Sequence, residues 1–208
     1  AERSDEAAYR TAYVEGLRHV LEWLASHGQR PKRLLFVSST AVYGQHEGEW
    51  VDEDSPCEPR GFTGRVLLEA EHLALGSGIP TSVVRLAGLY EGRSRWLVDQ
   101  LRAGQVPMAE PPQYSNRIHR DDAATLLSCL LLADARGEGL APIYLGVDDE
   151  PAPLHEVADW LRARLDITTP GHQPMVRRAG SKRCRNARAR SLGWAPRYPS
   201  YREGYGEP

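Results

Sequence analysis

Three hydroxyl-bearing residues and a phenol directly follow one apolar segment, and their types make them the first candidates for chemistry. The segment is Leu34–Val37, and Ser38, Ser39, Thr40 and Tyr43 come after it. A serine hydroxyl can hold a substrate oxygen, and a phenol can move a proton to or from it. In open α/β sheets, ligands bind beyond the carboxyl ends of the strands, where these residues would lie. The simpler alternative is that the serines only end a strand and bond their own loop.

The segments around these residues predict how they are held. The spacing of apolar residues indicates a helix from Ser4 to His27, with Gly28 as its stop. The continuous apolar run Leu34–Val37 is typical of a parallel strand buried on both faces. A second helix, Thr63–Leu75, and a β-branched strand, Thr81–Leu86, follow. Helix, strand, helix and strand in this order predict the α/β class, with a parallel sheet flanked by helices.

Composition favours a globular protein without a bulk attraction for nucleic acid. Of the 208 residues, 41% are hydrophobic and 26% are charged, and the formal net charge is -2. Cys57, Cys129 and Cys184 have neither metal-ligand spacing nor a disulfide pattern, which favours a reducing cytoplasm. The seven histidines are scattered, so no metal site is expected. No apolar run is long enough to cross a bilayer, so no membrane partner is expected.

Four stretches together resemble an extended short-chain dehydrogenase/reductase of the NAD-dependent epimerase/dehydratase group. SSTAVYG, followed by Glu53 and the Pro56/Pro59 pair, resembles the family's S-S-x-x-V-Y-G and P-x-x-E-x-x-P stretches. RLAGLYEG resembles R-x-x-N-x-Y-G-P, and NRIHRDDAATLL resembles the family's I-H-V-x-D followed by a helix. SKRCRNARARSLGWAP is similar to the family's terminal serine-lysine and L-G-W-x-P stretch. Together the matches run along nearly the whole chain.

The resemblance implies a fold, a cofactor and a partner. It implies a Rossmann-like sheet that binds NAD or NADP and a smaller C-terminal region that closes over a small-molecule substrate, often a nucleotide sugar. We therefore expect a partial Rossmann-like domain over residues 1–90 and a substrate-binding region over 91–208, interleaved with the sheet. In this family the two helices predicted above pair across a twofold axis, which implies a homodimer.

The resemblance also assigns roles to individual residues. Ser39 matches the residue that hydrogen-bonds a substrate hydroxyl or carbonyl, and Tyr43 is the nearest phenol that could substitute as an acid, although the family's tyrosine there usually lines the cleft. The implied catalytic residues are thus Ser39 and Tyr43. The implied cofactor-binding residues are Ser38, Arg65, Leu86 and Gly88. The implied substrate-binding residues are Thr40, Tyr90, Arg95, His119 and Arg178.

Two departures from the family pattern leave two functions open. The family's Tyr-x-x-x-Lys pair, in which lysine lowers the tyrosine pKa, corresponds here to Gly61 and Arg65. No glycine-rich dinucleotide motif occurs, and the chain begins in the helix before the fifth family strand. We therefore expect the C-terminal part of a longer protein, or one that borrows the missing half from a partner. The function is either NAD(P)-dependent chemistry on a hydroxyl or keto group, or non-catalytic binding of a dinucleotide or a partner.

Charged residues elsewhere have plainer interpretations. Asp121 or Asp122 is expected to cap a helix, and Glu69, Glu71 and His72 are expected on a solvent face. A late basic run could bind substrate phosphates or form one solvated face. Nucleic-acid binding is disfavoured because no aromatic residue interleaves this run. The run consists of Arg177, Arg178, Lys182, Arg183, Arg185, Arg188 and Arg190.

Overall fold

The computed structural model describes residues 5–91, 95–175 and 180–206, with only the backbone of Arg95. Its α-helices are α1 (Glu6–Arg10), α2 (Gly16–Ser26), α3 (Phe62–Leu75), α4 (Arg95–Arg102), α5 (Arg120–Ala135), α6 (Leu154–Arg164), α7 (Ala187–Ser191) and α8 (Tyr201–Gly204). Its strands are β1 (Leu34–Ser39), β2 (Glu49–Val51), β3 (Thr81–Leu86), β4 (Gly88–Tyr90), β5 (Gln105–Val106), β6 (Tyr114–Ser115), β7 (Arg117–His119), β8 (Ile143–Gly146), β9 (Ala152–Pro153), β10 (Gln173–Pro174) and β11 (Lys182–Cys184).

A parallel sheet in the order β1-β3-β8 lies at the centre of the fold. The register pairs Ser39 with Leu86 and Leu86 with Gly146, so the carboxyl ends of the three strands lie together. The remaining described strands form two-stranded pairs, of which β4–β7, β11–β2 and β10–β5 are parallel and β6–β9 is antiparallel. The predicted α/β class with a parallel sheet flanked by helices is confirmed.

Strand β1 is less buried than its apolar sequence predicts. Leu35 packs with the cluster of α5, and Phe36 packs with the cluster of α3, so helices cover both faces of the sheet. Val37, however, is 41% exposed. The expectation of a strand buried on both faces was wrong for Val37, and among the described strands only β3 pairs with β1. An apolar sequence alone does not distinguish an inner from an outer strand.

Helices α1 and α2 form one rod joined by a π-helical turn at Thr11–Glu15. Asp5 begins it by accepting a hydrogen bond from the Ala7 N–H at 2.9 Å, and the predicted start at Ser4 lies outside the described residues. Val14 packs against Val66 and Ala70 of α3. Further along, Val20 and Trp23 are 52% and 55% exposed, so two large apolar side chains lie on the surface of α2.

The later half of the chain has its own apolar clusters. Leu101 of α4 packs with Val157 and Leu161 of α6 and with Tyr201 of α8. Helix α5 covers the other face of the central sheet. None of the described helices is long and apolar enough to cross a membrane. These packed helices hold β4 and β7 just beyond the carboxyl end of β3.

Candidate functional site

Ser39 ends β1 at the edge where ligands bind in open α/β sheets. Its Oγ accepts the backbone N–H of Ala41 at 3.2 Å and so begins a single 3-10 turn, Thr40–Val42. No described acceptor bonds the Ser39 O–H, and the residue is half-buried. The hydroxyl can therefore donate to a ligand oxygen while the turn fixes its position. Its substrate-contacting role stays a prediction.

A buried charged network lies behind Ser39, on the α3 side of the sheet. The Ser38 hydroxyl donates to Glu71 Oε1 at 2.6 Å. Arg85 of β3 binds the same carboxylate through Nε and through Nη2, the latter at 2.7 Å from Oε2. Glu71 is only 1% exposed, so the expectation that it faces solvent was wrong. The physical reason is Arg85, which compensates the charge of the buried carboxylate.

Tyr43 belongs to this network. Its hydroxyl donates to the Asp52 carbonyl at 2.7 Å and accepts from Arg85 Nη1 at 2.8 Å. The Lys182 ammonium donates to the Tyr43 carbonyl at 3.2 Å. Burial raises the pKa of Tyr43, although the Arg85 guanidinium opposes the shift. The phenol is therefore a weak proton donor with both partners supplied by the protein, and these contacts favour a structural role over the catalytic role predicted for it.

The start of α3 brings the family's altered catalytic pair next to the same turn. Gly64 approaches so closely that a Cβ there would lie 2.3 Å from the Ala41 carbonyl oxygen. Arg65 is exposed, donates to the Arg60 carbonyl at 3.2 Å and lies 3.9 Å from the Glu6 carboxylate. A Cβ on Gly61 would find no atom nearer than 3.8 Å. The position of the family tyrosine is thus open, and the position of its lysine carries a permanent charge.

The other predicted cofactor and substrate residues are scattered around these strand ends. Leu86 is 6% exposed, and Gly88 begins β4, where a Cβ would lie 3.4 Å from the Asn116 carbonyl oxygen. Thr40 is buried in the turn after Ser39. The structure shows only the backbone of Arg95, at the start of α4, and Arg178 lies outside the described residues. No contact of these residues tests their predicted roles.

Tyr90 and His119 pack together in the interior. Their rings meet edge to face at 5.4 Å, and the Tyr90 hydroxyl donates to the Ser200 carbonyl at 3.2 Å. The backbone N–H of Asp121 donates to His119 Nδ1 at 3.2 Å, so His119 caps α5. The expectation of an aspartate cap was wrong. The carboxylate of Asp122 instead accepts two backbone N–H groups of the C-terminal segment, at 2.7 and 3.0 Å.

Arg117 and Asp148 form a second buried pair of opposite charge. The Arg117 Nη1 to Asp148 Oδ2 distance is 4.0 Å, and neither carboxylate oxygen has a described hydrogen bond of good geometry. Burial raises the pKa of Asp148 to about 8, while Arg117 opposes the shift. The pair is therefore an incompletely compensated polar site within the core.

The sequence suggested that the basic run has no aromatic neighbours, but the structure places aromatic side chains beside it. Parallel pairing places Arg183 beside Trp50, and the Arg183 guanidinium carbon lies 4.9 Å from the Trp50 ring centre and 4.8 Å from that of Tyr114. The Arg185 guanidinium carbon lies 4.8 Å from the Trp50 ring. We call Trp50, Tyr114, Arg183 and Arg185 the cationic-aromatic platform. The aromatic residues come from distant segments, so the run itself could not reveal them.

Sequence reasoning thus located the strand-end hydroxyls but missed the network behind them. A signal for it existed, because Arg85 interrupts the apolar strand Thr81–Leu86 and a charge there needs a partner. Its partner Glu71 could not be found, since it follows the same polar pattern as its exposed neighbours. Within the described ranges, no group of three or more His, Cys, Asp or Glu residues could hold a metal ion.

This geometry defines a Rossmann-like protein with a strand-end site, and comparison with known proteins identifies its family. The chain is 30% identical to the 3-diazoavenalumate denitrifying reductase of a Streptomyces species, over 97% of this chain and 73% of that protein. It is 34% identical to a Methylobacillus flagellatus structure provisionally described as an NAD-dependent epimerase/dehydratase, covering 97% of this chain and 71% of that one, with a TM-score of 0.78. No protein-family model matches the chain.

The chain belongs to the NAD-dependent epimerase/dehydratase family of extended short-chain dehydrogenases/reductases. A more distant structure shares only the fold. It is the dTDP-glucose 4,6-dehydratase of Bacillus anthracis in complex with NAD, which is 16% identical over 98% of this chain and 68% of that one, with a TM-score of 0.78. The predicted family is thereby confirmed.

Proposed function

We propose that this chain belongs to an NAD(P)-dependent reductase, epimerase or dehydratase that acts on a hydroxyl or keto group of a small molecule. The observation that carries the proposal is the Ser39 hydroxyl, positioned by its own turn at the carboxyl end of β1 with a proton left to donate. Relatives are described as a reductase and as an epimerase/dehydratase, and a nucleotide sugar is among the substrates that fit the proposal.

The residues present fit one part of a dinucleotide. The exposed guanidinium of Arg65 suits ribose oxygens, and the Ser39 hydroxyl remains available for a substrate oxygen. The 208 residues contain no glycine-rich turn, so pyrophosphate binding is assigned to none of them. NAD(P) would supply or accept a hydride. Ser39 would hold the reacting oxygen, and Arg65 would hold the ribose without acting as an acid, because arginine stays protonated.

A non-catalytic role is the rival, and a specific observation favours it. Gly61 carries no proton at the family's tyrosine position, and the Tyr43 hydroxyl already donates its proton to the Asp52 carbonyl while accepting from Arg85. Binding needs only shape and hydrogen bonds, whereas oxygen chemistry also needs a proton relay. A sensor that binds NAD(P) without turnover, or a protein that holds a partner, would retain what the structure describes.

Restoring the family pair distinguishes the two functions. The open space at Gly61 allows Gly61→Tyr combined with Arg65→Lys to be tested in the full-length protein. If the site holds a substrate carbonyl and NAD(P) in reacting geometry, as the proposed enzyme requires, we expect the restored pair to raise carbonyl reduction by about 10²-fold, the lower end of general acid catalysis. Gly61→Phe with Arg65→Lys is the matched control, because it adds the ring without the hydroxyl. Cofactor binding with equal, negligible turnover in both variants would favour the binding role.

The remaining expectations belong to the same proposal. We propose a homodimer through α2 and α3, supported by the exposed apolar side chains Val20 and Trp23 on that side. We propose a cytoplasmic location, supported by three cysteines that are all free. The division into residues 1–90 for the cofactor and 91–208 for the substrate is retained, with β8 returning to the sheet. Equilibrium sedimentation of the full-length protein and of Trp23→Glu tests the dimer.

A further inference from the structure

We infer that the cationic-aromatic platform is a binding site for a small planar aromatic ring carrying a carboxylate or a phosphate. The platform stands on the surface formed by β2, β11 and β6, and its binding does not depend on a cofactor. The inference therefore goes beyond the proposed redox function and can fail or succeed independently of it.

The platform is held in place by contacts within the protein itself. Arg183 Nε donates to the Gly48 carbonyl at 2.6 Å, and its guanidinium contacts both Trp50 and Tyr114. Contact on two rings and one hydrogen bond restrict the rotamers of a long side chain, which lowers the entropic cost of binding. Gly48, at φ +85°, lets the Tyr114 ring lie 3.2 Å from where a Cβ would be.

The guanidinium groups of Arg183 and Arg185 bring two positive charges together without a described counterion. No described acceptor bonds the Arg185 guanidinium, and none bonds the Nη groups of Arg183. Arg188, three residues further on, is paired with the carboxylates of Asp54 and Glu53 at 2.7 and 3.8 Å. Other described arginines also have acidic partners, such as Glu150 for Arg202 at 2.6 Å. The platform is thus a local excess of positive potential that favours an anion.

An exposed aromatic surface lies beside these charges. Trp50 is 45% exposed although it is large and apolar. Of the four platform residues, Tyr114 also lines an adjoining cleft of about 340 Å³, within the range of small-ligand sites, whose lining includes Pro111, Pro112 and the charged residue Glu47. An aromatic ring can pack on this surface while its anionic group meets the guanidinium fork, which matches carboxylate and phosphate geometry.

A small ligand fits better than a nucleic acid. The platform offers two guanidiniums, and the next arginine along the chain is neutralised by Asp54. The formal net charge of the chain is -2, so the chain as a whole has no bulk attraction for a polyanion. A carboxylate and a phosphate would be recognised by the same guanidinium groups, and the titration uses separate probes to distinguish them.

The test is a titration of the ¹⁵N-labelled protein, followed through the indole N–H signal of Trp50, which Trp50→Leu identifies. The probes are 4-hydroxycinnamate, phenyl phosphate, cyclohexanecarboxylate and inorganic phosphate. We expect saturable shifts of the Trp50 signal with at least one of the two aromatic anions. Arg185→Gln should weaken that binding about tenfold, through loss of a charged hydrogen bond, and Trp50→Leu about fivefold. Arg190→Gln, which removes an exposed arginine of α7, is the matched control and should leave the dissociation constant unchanged.

Each contrary result has a definite meaning. Absence of shifts with both aromatic anions would overturn the inference. Equal binding of inorganic phosphate or cyclohexanecarboxylate would overturn the role of the ring. An equal effect of Arg190→Gln would show only general charge attraction, and tighter binding of a single-stranded oligonucleotide than of any small probe would replace the ligand class. Arg183→Lys, which keeps the charge but loses the stacked fork, should also weaken binding if the site is specific.

Discussion

Replacing Asp148 by asparagine should remove a pH dependence from the stability of this protein. Burial raises the pKa of Asp148 in the folded chain to about 8 from an ordinary value of 3.8. Between these two values the folded state holds a proton that the unfolded state releases, so folding takes up a proton. The contribution of Asp148 to stability is therefore fully present below pH 3.8 and is lost as the pH rises to about 8. Asparagine cannot titrate, so the variant lacks this loss.

The size of the effect follows from the proton linkage. One proton taken up on folding lowers the free energy of unfolding by about 1.4 kcal/mol per pH unit. From pH 5 to pH 7 the wild-type chain should therefore lose up to about 2.7 kcal/mol relative to Asp148→Asn. The 4.0 Å gap to Arg117 makes this direction the expected one, because a closely bonded guanidinium would lower the carboxyl pKa instead.

Urea unfolding at pH 5, 6, 7 and 9, followed by circular dichroism, measures the difference. Comparing the pH profiles of variant and wild type cancels the titration of other groups, and it also cancels any constant cost of leaving Arg117 without its partner. Asp159→Asn, which changes an exposed carboxylate of α6, is the control and should follow the wild-type profile. Parallel profiles for Asp148→Asn and wild type, or a wild-type stability that rises with pH relative to the variant, would refute the reasoning.

Two further substitutions test the packing behind the strand ends. Glu71→Leu should lower the free energy of unfolding by about 4 kcal/mol, because it leaves the Arg85 guanidinium buried without its carboxylate. Glu71→Leu combined with Arg85→Leu should lower it less. Urea denaturation that finds the single change harmless would contradict the network. Gly64→Ala should cost about 2 kcal/mol, because its Cβ would meet the Ala41 carbonyl, whereas Gly61→Ala should cost less than about 1 kcal/mol; equal melting temperatures would show that α3 can shift.

Local patterns predicted much of the fold correctly. The strand Thr81–Leu86 has the predicted bounds, and the helix predicted from Thr63 begins one residue earlier, at Phe62. Residue spacing succeeds here because it reports the face that each element buries, and that face depends on near neighbours in the chain. Exposure was predicted less well. Val37 is 41% exposed, and no property of β1 itself reveals that only one described strand, β3, pairs with it.

The candidate site divides in the same way. Ser39 was found because a hydroxyl after an apolar strand is a local feature, and the structure places it at the edge of the sheet with a donor to spare. The hydrogen-bond partners of Tyr43, Glu71 and Arg85 were not predicted from the sequence. Tyr43 bonds Asp52 in a loop, and Arg85 in the strand β3 bonds Glu71 in the helix α3. A residue's type states which bonds it can make but not which distant residue will make them.

The sequence by itself determined the order of helices and strands, the family and the strand-end hydroxyl, because each of these depends on residues close together in the chain. Only the tertiary structure decided that Glu71 is a buried ion-pair partner, that His119 rather than an aspartate caps α5, and that Trp50 contacts two arginines of the basic run. The physical reason is that these contacts act over a few ångströms of space, and residue type alone does not say which group, near or far in the chain, will come within that distance.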